Sequence, residues 1–277
     1  MYKLCIPITG GLDSFTAYHY AKRYYCYRMG LDFEKDTILV YVNLINSPYA
    51  KKEKETIKGL YPHDKIHYID IKGYYDKVTS MEGHVVLGRN MMLAGLLSGL
   101  AEEVWLCGTE YEDNTGMYDK NSAFFKVATQ CATQACLYER DIPTIIRSPF
   151  QSFGDLGSFL LMEKHHMIEF LEERNIFEWR YTTSCFHPEY LRCGSCPVCG
   201  KRYVYEKMAE IKWHILFDKN ISLENTYIDN PRENKYLLET LEKMKLAKKT
   251  KNYSRYHKER IQCYFEVMNV QQEIKKE

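Results

Sequence analysis

Five short apolar runs, separated by segments of helical character, constrain the fold of this 277-residue chain most strongly. The runs cover residues 4–8, 37–43, 65–71, 104–107 and 144–147. A regular alternation of strand and helix favours a parallel sheet that is covered by helices. The sequence therefore predicts an α/β fold, doubly wound, with a mainly parallel five-stranded sheet.

Helical segments are expected between the strands, and the loops that follow the strands carry the polar residues. The expected helices span residues 15–28, 51–60, 90–102, 122–138 and 158–174. In an open parallel sheet, ligands bind outside the carboxyl ends of the strands. The turn after the first strand, the acidic segment after Cys107 and the loop Ser148-Pro149-Phe150 all fall on this edge, so we expect them to line one pocket.

The turn after the first strand has the composition of a phosphate site. Its residues are Thr9-Gly10-Gly11-Leu12-Asp13-Ser14, and they follow Ile8 directly. The two glycines can adopt positive φ and admit an anion to the backbone N–H groups beside a helix N-terminus. Thr9 and Ser14 add hydroxyl donors, and Asp13 suits magnesium or the orientation of the turn. The alternative is a plain helix start that Asp13 or Ser14 caps.

The overall composition and charge exclude several classes of protein. Apolar residues make up 45% of the chain and charged residues 27%, which is ordinary for a globular protein. The formal net charge of +1 gives no reason to expect a nucleic acid or an anionic membrane as partner. No apolar stretch approaches the roughly 20 residues that span a bilayer. We therefore expect a cytoplasmic protein.

Four of the ten cysteines form the strongest local motif. Cys185, Cys193, Cys196 and Cys199 have the tight spacing of a structural zinc site closed by four thiolates. An iron–sulfur cluster is the alternative for such spacing. The other six cysteines are dispersed, as buried thiols are in a reducing compartment. His187 could replace Cys185, but we expect it near the site or on the surface.

Three regions are expected along the chain. An ATP-binding α/β domain covers residues 1–178, the zinc knuckle with its following helix covers 179–210, and a helical C-terminal extension covers 211–277. The basic run within 243–260 is expected to be a solvated helix face. His165 and His166 are neighbours in a helix, so only one can point into a pocket, and we expect an exposed pair.

The motifs occur together in an order that resembles one known family. The chain resembles the 7-cyano-7-deazaguanine synthase (QueC) family, which has the adenine-nucleotide α-hydrolase-like fold of N-type ATP pyrophosphatases, over about residues 1–210. The family's Ser-Gly-Gly-x-Asp-Ser loop is similar to the turn above, with one hydroxyl exchanged. The further matches are Gly88-Arg89-Asn90, the Ser148-Pro149-Phe150 loop, Lys164 in the helix that follows, and Ser184-Cys185-Phe186 with the cysteine knuckle.

The resemblance implies an ATP-dependent carbon–nitrogen ligase. Such an enzyme adenylates the carboxylate of 7-carboxy-7-deazaguanine, releases pyrophosphate, and uses ammonia to form 7-cyano-7-deazaguanine in queuosine biosynthesis. The implied cofactors are magnesium and structural zinc, with ATP as a substrate, and a homodimer is the family-like expectation.

The resemblance also implies roles for individual residues. The residues expected to bind ATP and pyrophosphate are Ile8, Thr9, Gly10, Gly11, Leu12, Asp13 and Ser14. The residues expected to take part in catalysis are Asp13, Ser14, Arg89 and Lys164. The residues expected to bind the acid substrate are Arg89, Asn90, Glu110, Asp113 and Asp119.

One segment departs from the family pattern and leaves the acceptor open. Where the family has Ser-Gly-Tyr-Pro-Asp-Cys-Arg, residues 115–121 keep only the glycine and Asp119 unchanged, with Thr115 as a hydroxyl substitute. A relative that attaches a deazaguanine-type acid to a protein or another amine, as in antiviral systems, is therefore an alternative. Sulfur transfer to RNA and a non-catalytic nucleotide-binding module are weaker alternatives.

Overall fold

The computed structural model describes residues 1–78, 88–109, 119–137, 142–151 and 162–183, together with single positions between 185 and 209. The chain divides into two units, Met1–Thr182 and Thr183–Glu277. All the helices and strands named below belong to the first unit.

Five parallel strands form the sheet at the centre of the first unit. The strands are β1 (Tyr2–Pro7), β2 (Thr37–Leu44), β3 (Ile66–Ile71), β4 (Ala101–Trp105) and β5 (Ile145–Arg147). Their order is β3-β2-β1-β4-β5, and every neighbouring pair is parallel. The α/β class and the five-stranded parallel sheet are thus confirmed. The order reverses at β1, which places a topological switch point between β1 and β4.

Helices connect the strands. They are α1 (Leu12–Tyr20), a π-helical segment (Ala21–Tyr25), α2 (Cys26–Met29), α3 (Phe33–Asp36), α4 (Ala50–Leu60), α5 (Tyr74–Val78), α6 (Arg89–Ser98), α7 (Ser122–Cys136), α8 (Lys164–Glu172) and a 3₁₀-helix (Phe177–Tyr181). Within the part of the chain that the structure describes, no helix combines the length and apolar character needed to cross a bilayer.

Several expected boundaries were wrong. The helix expected over 90–102 ends at Ser98, and β4 begins at Ala101. Glu102 and Glu103 lie in that strand, although glutamate is uncommon in strands. Each forms an ion pair with a cation of a neighbouring strand, and these pairs compensate for the unfavourable composition. The first helix begins at Leu12 rather than at residue 15, and α3, which Asp32 caps, was not expected. The start expected at residue 158 lies outside the described residues, and α8 itself begins at Lys164.

The central strand is buried on both faces, which explains its uninterrupted apolar run. Leu4 and Ile6 are fully buried, and so is Cys5, whose side chain points to the opposite face. On the face of Cys5, apolar residues of α6, α7 and the neighbouring strands form one cluster. It includes Cys5, Val40, Ala94, Leu97, Val104, Phe125 and Ile146. The core thus fixes β1 and the position of the turn at its carboxyl end.

A buried ion pair links β4 and β5. Arg147 Nε lies 2.5 Å from Glu103 Oε1, and both side chains are at most one-tenth exposed. Tyr25 donates its hydroxyl to Glu103 Oε2 at 2.7 Å, and the indole N–H of Trp105 donates to Oε1. Burial raises the pKa of Tyr25, and the charge of Glu103 adds to the effect. The carboxylate is therefore satisfied by a cation and two neutral donors.

His19 on α1 should make the fold sensitive to acid. Burial lowers the pKa of His19 to about 4, and the charges of Arg23 and Lys22 act in the same direction, opposed by Asp64. The unfolded chain has the ordinary value of about 6.5 and binds the proton first. The stability that neutral His19 provides is therefore present above about pH 6.5 and is lost as the pH falls towards 4, at most about 3 kcal/mol in all.

We expect His19→Gln to remove much of this pH dependence, because glutamine does not titrate. Urea unfolding at pH 7 and at pH 4.5 measures the effect. His63→Gln, at an exposed position, is the matched control and should keep the slope of the wild type. A His19→Gln protein that loses as much stability at pH 4.5 as the wild type would contradict the assignment.

Candidate functional site

The turn after β1 is a narrow loop whose two glycines differ. Ile8 is fully buried, and its N–H donates to Val40 O at 2.8 Å. Gly10 has a φ of +74°, as expected for a turn that brings backbone to a ligand. Gly11 is extended, with a φ of −81°, so only Gly10 uses the positive φ that is open to both glycines. Gly11 is instead the N-cap of α1.

Ser14 closes this turn, and neither Asp13 nor Ser14 caps the helix. Ser14 Oγ donates to Gly11 O at 3.2 Å and accepts from the N–H of Thr9 at 3.4 Å. No side chain caps α1, so the capping alternative was wrong. Thr9 is exposed, whereas Leu12 is buried beneath the turn. The backbone N–H groups at the start of α1 thus have no side-chain cap. Such groups can donate hydrogen bonds to a bound anion.

Gly10 also approaches α4 so closely that no side chain fits there. A Cβ at this position would lie 2.8 Å from Thr56 Cγ2 and 3.1 Å from Thr56 Cβ. The turn is therefore held against α4 by direct backbone packing.

Replacing Gly10 by alanine should destabilise the protein by about 2–3 kcal/mol, from the left-handed φ and from the contact with Thr56. Gly30→Ala is the matched control, because Gly30 has a φ of +68° with nothing within 4 Å of the added Cβ. It should cost only about 1 kcal/mol. Urea unfolding measures both, and equal losses in the two variants would contradict the packing argument.

Two residues with expected catalytic roles meet at the start of α1. Lys164 Nζ lies 2.6 Å from both carboxylate oxygens of Asp13, across 151 positions of the chain. Both side chains keep about a quarter of their surface exposed. Lys164 is the first residue of α8, where the helix dipole disfavours a cation, and the contact with Asp13 offsets this cost. The pair leaves the local charge at the turn close to neutral.

The start of α6 brings together two residues expected to bind substrate. Asn90 is buried, and its Nδ2 donates to Asp119 O at 2.9 Å and to Asp119 Oδ2 at 3.0 Å. Arg89 is exposed beside it, and its charge acts on Glu53 of α4. Burial raises the pKa of Glu53, and the bond from Tyr41 and the charge of Arg89 oppose the rise. Glu110 and Asp113 lie outside the described residues.

The loops after β4 and β5 are bound to each other. Ser148 Oγ donates to Gly108 O at 2.5 Å and accepts from the N–H of Gly108 at 3.1 Å. Gln151 Nε2 donates to Thr109 O at 2.5 Å and to Lys120 O at 2.7 Å. No local pattern singles out Gln151, although it directly follows the Ser148-Pro149-Phe150 motif. These bonds hold Asp119, next to Lys120, at the carboxyl edge of the sheet.

The expectation of an exposed histidine pair was wrong. His165 is only 5% exposed, and the ring of His166 lies 3.8 Å from it, centroid to centroid. They lie in the first turn of α8, where His166 Nδ1 accepts from the N–H of Glu163 at 3.3 Å in a capping box. Burial lowers the pKa of His166.

Two of the four expected metal ligands are among the described residues of the second unit. Cys185 and Cys199 are each 4% exposed, whereas Cys193, Cys196 and His187 lie outside the described residues. Glu206 accepts from Arg192 at 2.8 Å and from Arg202 at 2.9 Å, so two buried cations share one carboxylate. Burial lowers the pKa of Arg192 to about 10, and the charge of Cys199 opposes the fall. The positive charge of Arg192 beside the buried thiol of Cys199 fits a site of four thiolates around zinc, whose net charge is negative.

Comparison with known proteins gives two findings. The family profile described as "Queuosine biosynthesis protein QueC" matches residues 63–208. The chain is also similar to 7-cyano-7-deazaguanine synthase 2 of Colwellia psychrerythraea strain 34H. The two sequences are 26% identical over 217 residues, which cover 73% of this chain and 92% of that protein.

Proposed function

Because the chain belongs to the QueC family of queuosine biosynthesis proteins, we propose that it is an ATP-dependent ligase that converts 7-carboxy-7-deazaguanine to 7-cyano-7-deazaguanine. The observation that carries the proposal is the contact of Lys164 with both oxygens of Asp13 at the start of α1. The turn follows β1 at the carboxyl edge of the sheet, and pairing of its carboxylate with Lys164 lets it approach phosphate without repulsion, which supports adenylation chemistry.

The first step is adenylation of the acid. A carboxylate oxygen of the substrate attacks the α-phosphorus of ATP, the bond to the β-phosphate oxygen breaks, and pyrophosphate leaves. The N–H groups at the start of α1 and the helix dipole stabilise the departing anion. Asp13 alone would repel this anion, and Lys164 removes the repulsion by pairing with Asp13. The enzyme's contribution is thus positioning and charge stabilisation.

Asp13 is also the residue that would hold magnesium. A carboxylate oxygen that accepts a hydrogen bond from Lys164 keeps a second lone pair, which can bind a metal ion. A single carboxylate ligand fits magnesium, which usually takes its other ligands from water and phosphate oxygens. The ion, when bound, supplies positive charge to the phosphate oxygens of ATP. The contact with Lys164 fixes the carboxylate in place beside the turn.

The nitrogen enters in the second stage. Ammonia attacks the acyl carbon of the acyl-adenylate, AMP leaves, and a primary amide forms. The amide oxygen attacks the α-phosphorus of a second ATP and pyrophosphate leaves. Loss of AMP and of both protons of the amide nitrogen then gives the nitrile. Asp119 is suited to accept hydrogen bonds from the N1–H and the 2-amino group of a deazaguanine, and Asn90 fixes its orientation through two bonds.

A coupled assay tests the proposal on the full chain. Purified protein is incubated with ATP, ammonium and 7-carboxy-7-deazaguanine while pyrophosphate and the nitrile are followed. We expect two pyrophosphates for each nitrile, and none when the acid is omitted. Absence of acid-dependent pyrophosphate would refute the proposal. Pyrophosphate without the nitrile would instead favour another amine as acceptor.

We also propose that Cys185, Cys193, Cys196 and Cys199 hold one structural zinc ion. The burial of Cys185 and Cys199 and the positive charge of Arg192 beside Cys199 support this. Elemental analysis of the purified chain should give one zinc for each chain, and Cys196→Ser should lose it. Iron in place of zinc would refute the proposal.

A further inference from the structure

The first two turns of α8 contain three metal-ligating side chains that the proposed reaction does not use. They belong to His165, His166 and Glu169. One ligand atom from each lies within 4.8 Å of the other two. His165 and Glu169 are separated by four positions, so they project from the same face of the helix. His165 is buried, and the other two side chains are partly buried.

The kind of ligand atom indicates the kind of ion. Two imidazole nitrogens and one carboxylate oxygen suit zinc and its neighbours in the first transition row, whereas magnesium and calcium prefer oxygen ligands alone. Bonds of about 2.0–2.2 Å in a tetrahedral site place the ligand atoms roughly 3.4 Å apart. Small rotations of the partly buried side chains, His166 and Glu169, would bring the ligand atoms from within 4.8 Å of one another to this distance.

We propose that His165, His166 and Glu169 form a second metal site, which binds a divalent cation of the zinc class. These three residues belong to the first unit, whereas the cysteine motif belongs to the second. Three protein ligands leave one position for water or for an oxygen of an anionic ligand.

His166 must change its hydrogen bonding when the ion binds. Its Nδ1 accepts from the N–H of Glu163, so the proton of the neutral ring is on Nε2. Binding through Nε2 moves this proton to Nδ1 and breaks the capping bond, which at 3.3 Å is a long one. His165 and Glu169 are therefore the primary pair, and His166 completes the site at the expense of the cap.

The neighbouring residue makes this site relevant to the turn after β1. Lys164 precedes His165 directly and contacts both oxygens of Asp13. A metal ion bound to the next residues adds positive charge to the same end of α8. Occupancy of the site is therefore coupled to the charge that faces the turn.

Cobalt is the probe that separates this site from the cysteine site. The full chain, purified with its zinc, is titrated with Co²⁺ while its absorption spectrum and binding heat are recorded. We expect one equivalent to bind with weak d–d bands and without the intense thiolate-to-cobalt charge-transfer band. Glu169→Gln and His165→Gln should each weaken this binding at least about tenfold.

Two control variants test whether cobalt binding depends on these three side chains. Glu173→Gln removes an exposed carboxylate at the end of the same helix, and His63→Gln removes an exposed imidazole, so both should bind cobalt as the wild type does. Unfolding curves show whether a variant has lost the fold. If His165→Gln does not fold, the cobalt affinity of Glu169→Gln decides the test, because this change is isosteric and its position is only partly buried. The proposal is refuted if the wild type binds no added cobalt, if a thiolate band appears, or if Glu169→Gln binds as tightly as the wild type.

Discussion

Lys164→Ala should lower pyrophosphate formation by about 10²- to 10³-fold, the range seen when one preorganised electrostatic group is lost. The ammonium contacts both oxygens of Asp13 at 2.6 Å, so its removal leaves an unpaired carboxylate charge facing the position proposed for the phosphates of ATP. Steady-state kinetics with separate kcat and KM, together with ATP binding by calorimetry, measure the effect. Lys126→Ala, at an exposed position on α7, is the control and should be unchanged.

A double variant distinguishes neutralisation of Asp13 from direct contact with phosphate. If Lys164 acts by neutralising Asp13, then Asp13→Asn should restore much of the ATP affinity that Lys164→Ala loses, because asparagine does not repel an anion. If Lys164 instead binds phosphate itself, the double variant should bind ATP no better than Lys164→Ala. Full activity of Lys164→Ala would contradict both roles.

Arg147→Met should lower the free energy of unfolding by about 3–5 kcal/mol. The change leaves Glu103 buried without its cation, while the neutral donors Tyr25 and Trp105 remain. Lys3→Met is the matched control. It breaks the ion pair with Glu102, the strand neighbour of Glu103, but Lys3 is 45% exposed, so the loss should stay below about 1 kcal/mol.

The charge of Glu103 can be tested separately. Adding Glu103→Gln to Arg147→Met removes the unpaired charge, so the double variant should recover a large part of the lost stability. Urea unfolding of the wild type, the single variants Arg147→Met and Glu103→Gln, and the double variant gives the coupling energy of the pair. Equal losses in Arg147→Met and Lys3→Met would show that burial does not set the cost of breaking these pairs.

The sheet could be predicted from the sequence because its strands are local apolar runs. β1 and β2 are continuous stretches such as Leu4 to Ile6, and burial on both faces requires this. β4 was predicted less well, since Glu102 and Glu103 resemble a charged helix end. Their cations come from Lys3 and Arg147, in other strands, and no local pattern reveals that pairing.

In the candidate site, features set by local sequence could be predicted, whereas contacts between distant parts of the chain could not. Gly10 is recognisable because a turn after a strand needs positive φ, and the structure has it. The contact of Lys164 with Asp13 spans 151 positions, and the burial of His165 depends on the packing of α8. Likewise, Gln151 bridges two loops that lie far apart in sequence. Local composition identifies candidate residues, but only the fold brings them together.

The central position of β1 also determines when the site can form during folding. Its pairing with β2 closes a short loop, whereas its pairing with β4 joins residues such as Tyr2 and Ala101 from distant parts of the chain. Contacts of such high sequence separation form slowly, because the entropy of a long loop must be lost first. A chain emerging from the ribosome can therefore assemble β1, β2 and β3 early and add β4 later. The turn at the end of β1 lies at the boundary between these early and late parts, so its surroundings are complete only when the last strands join.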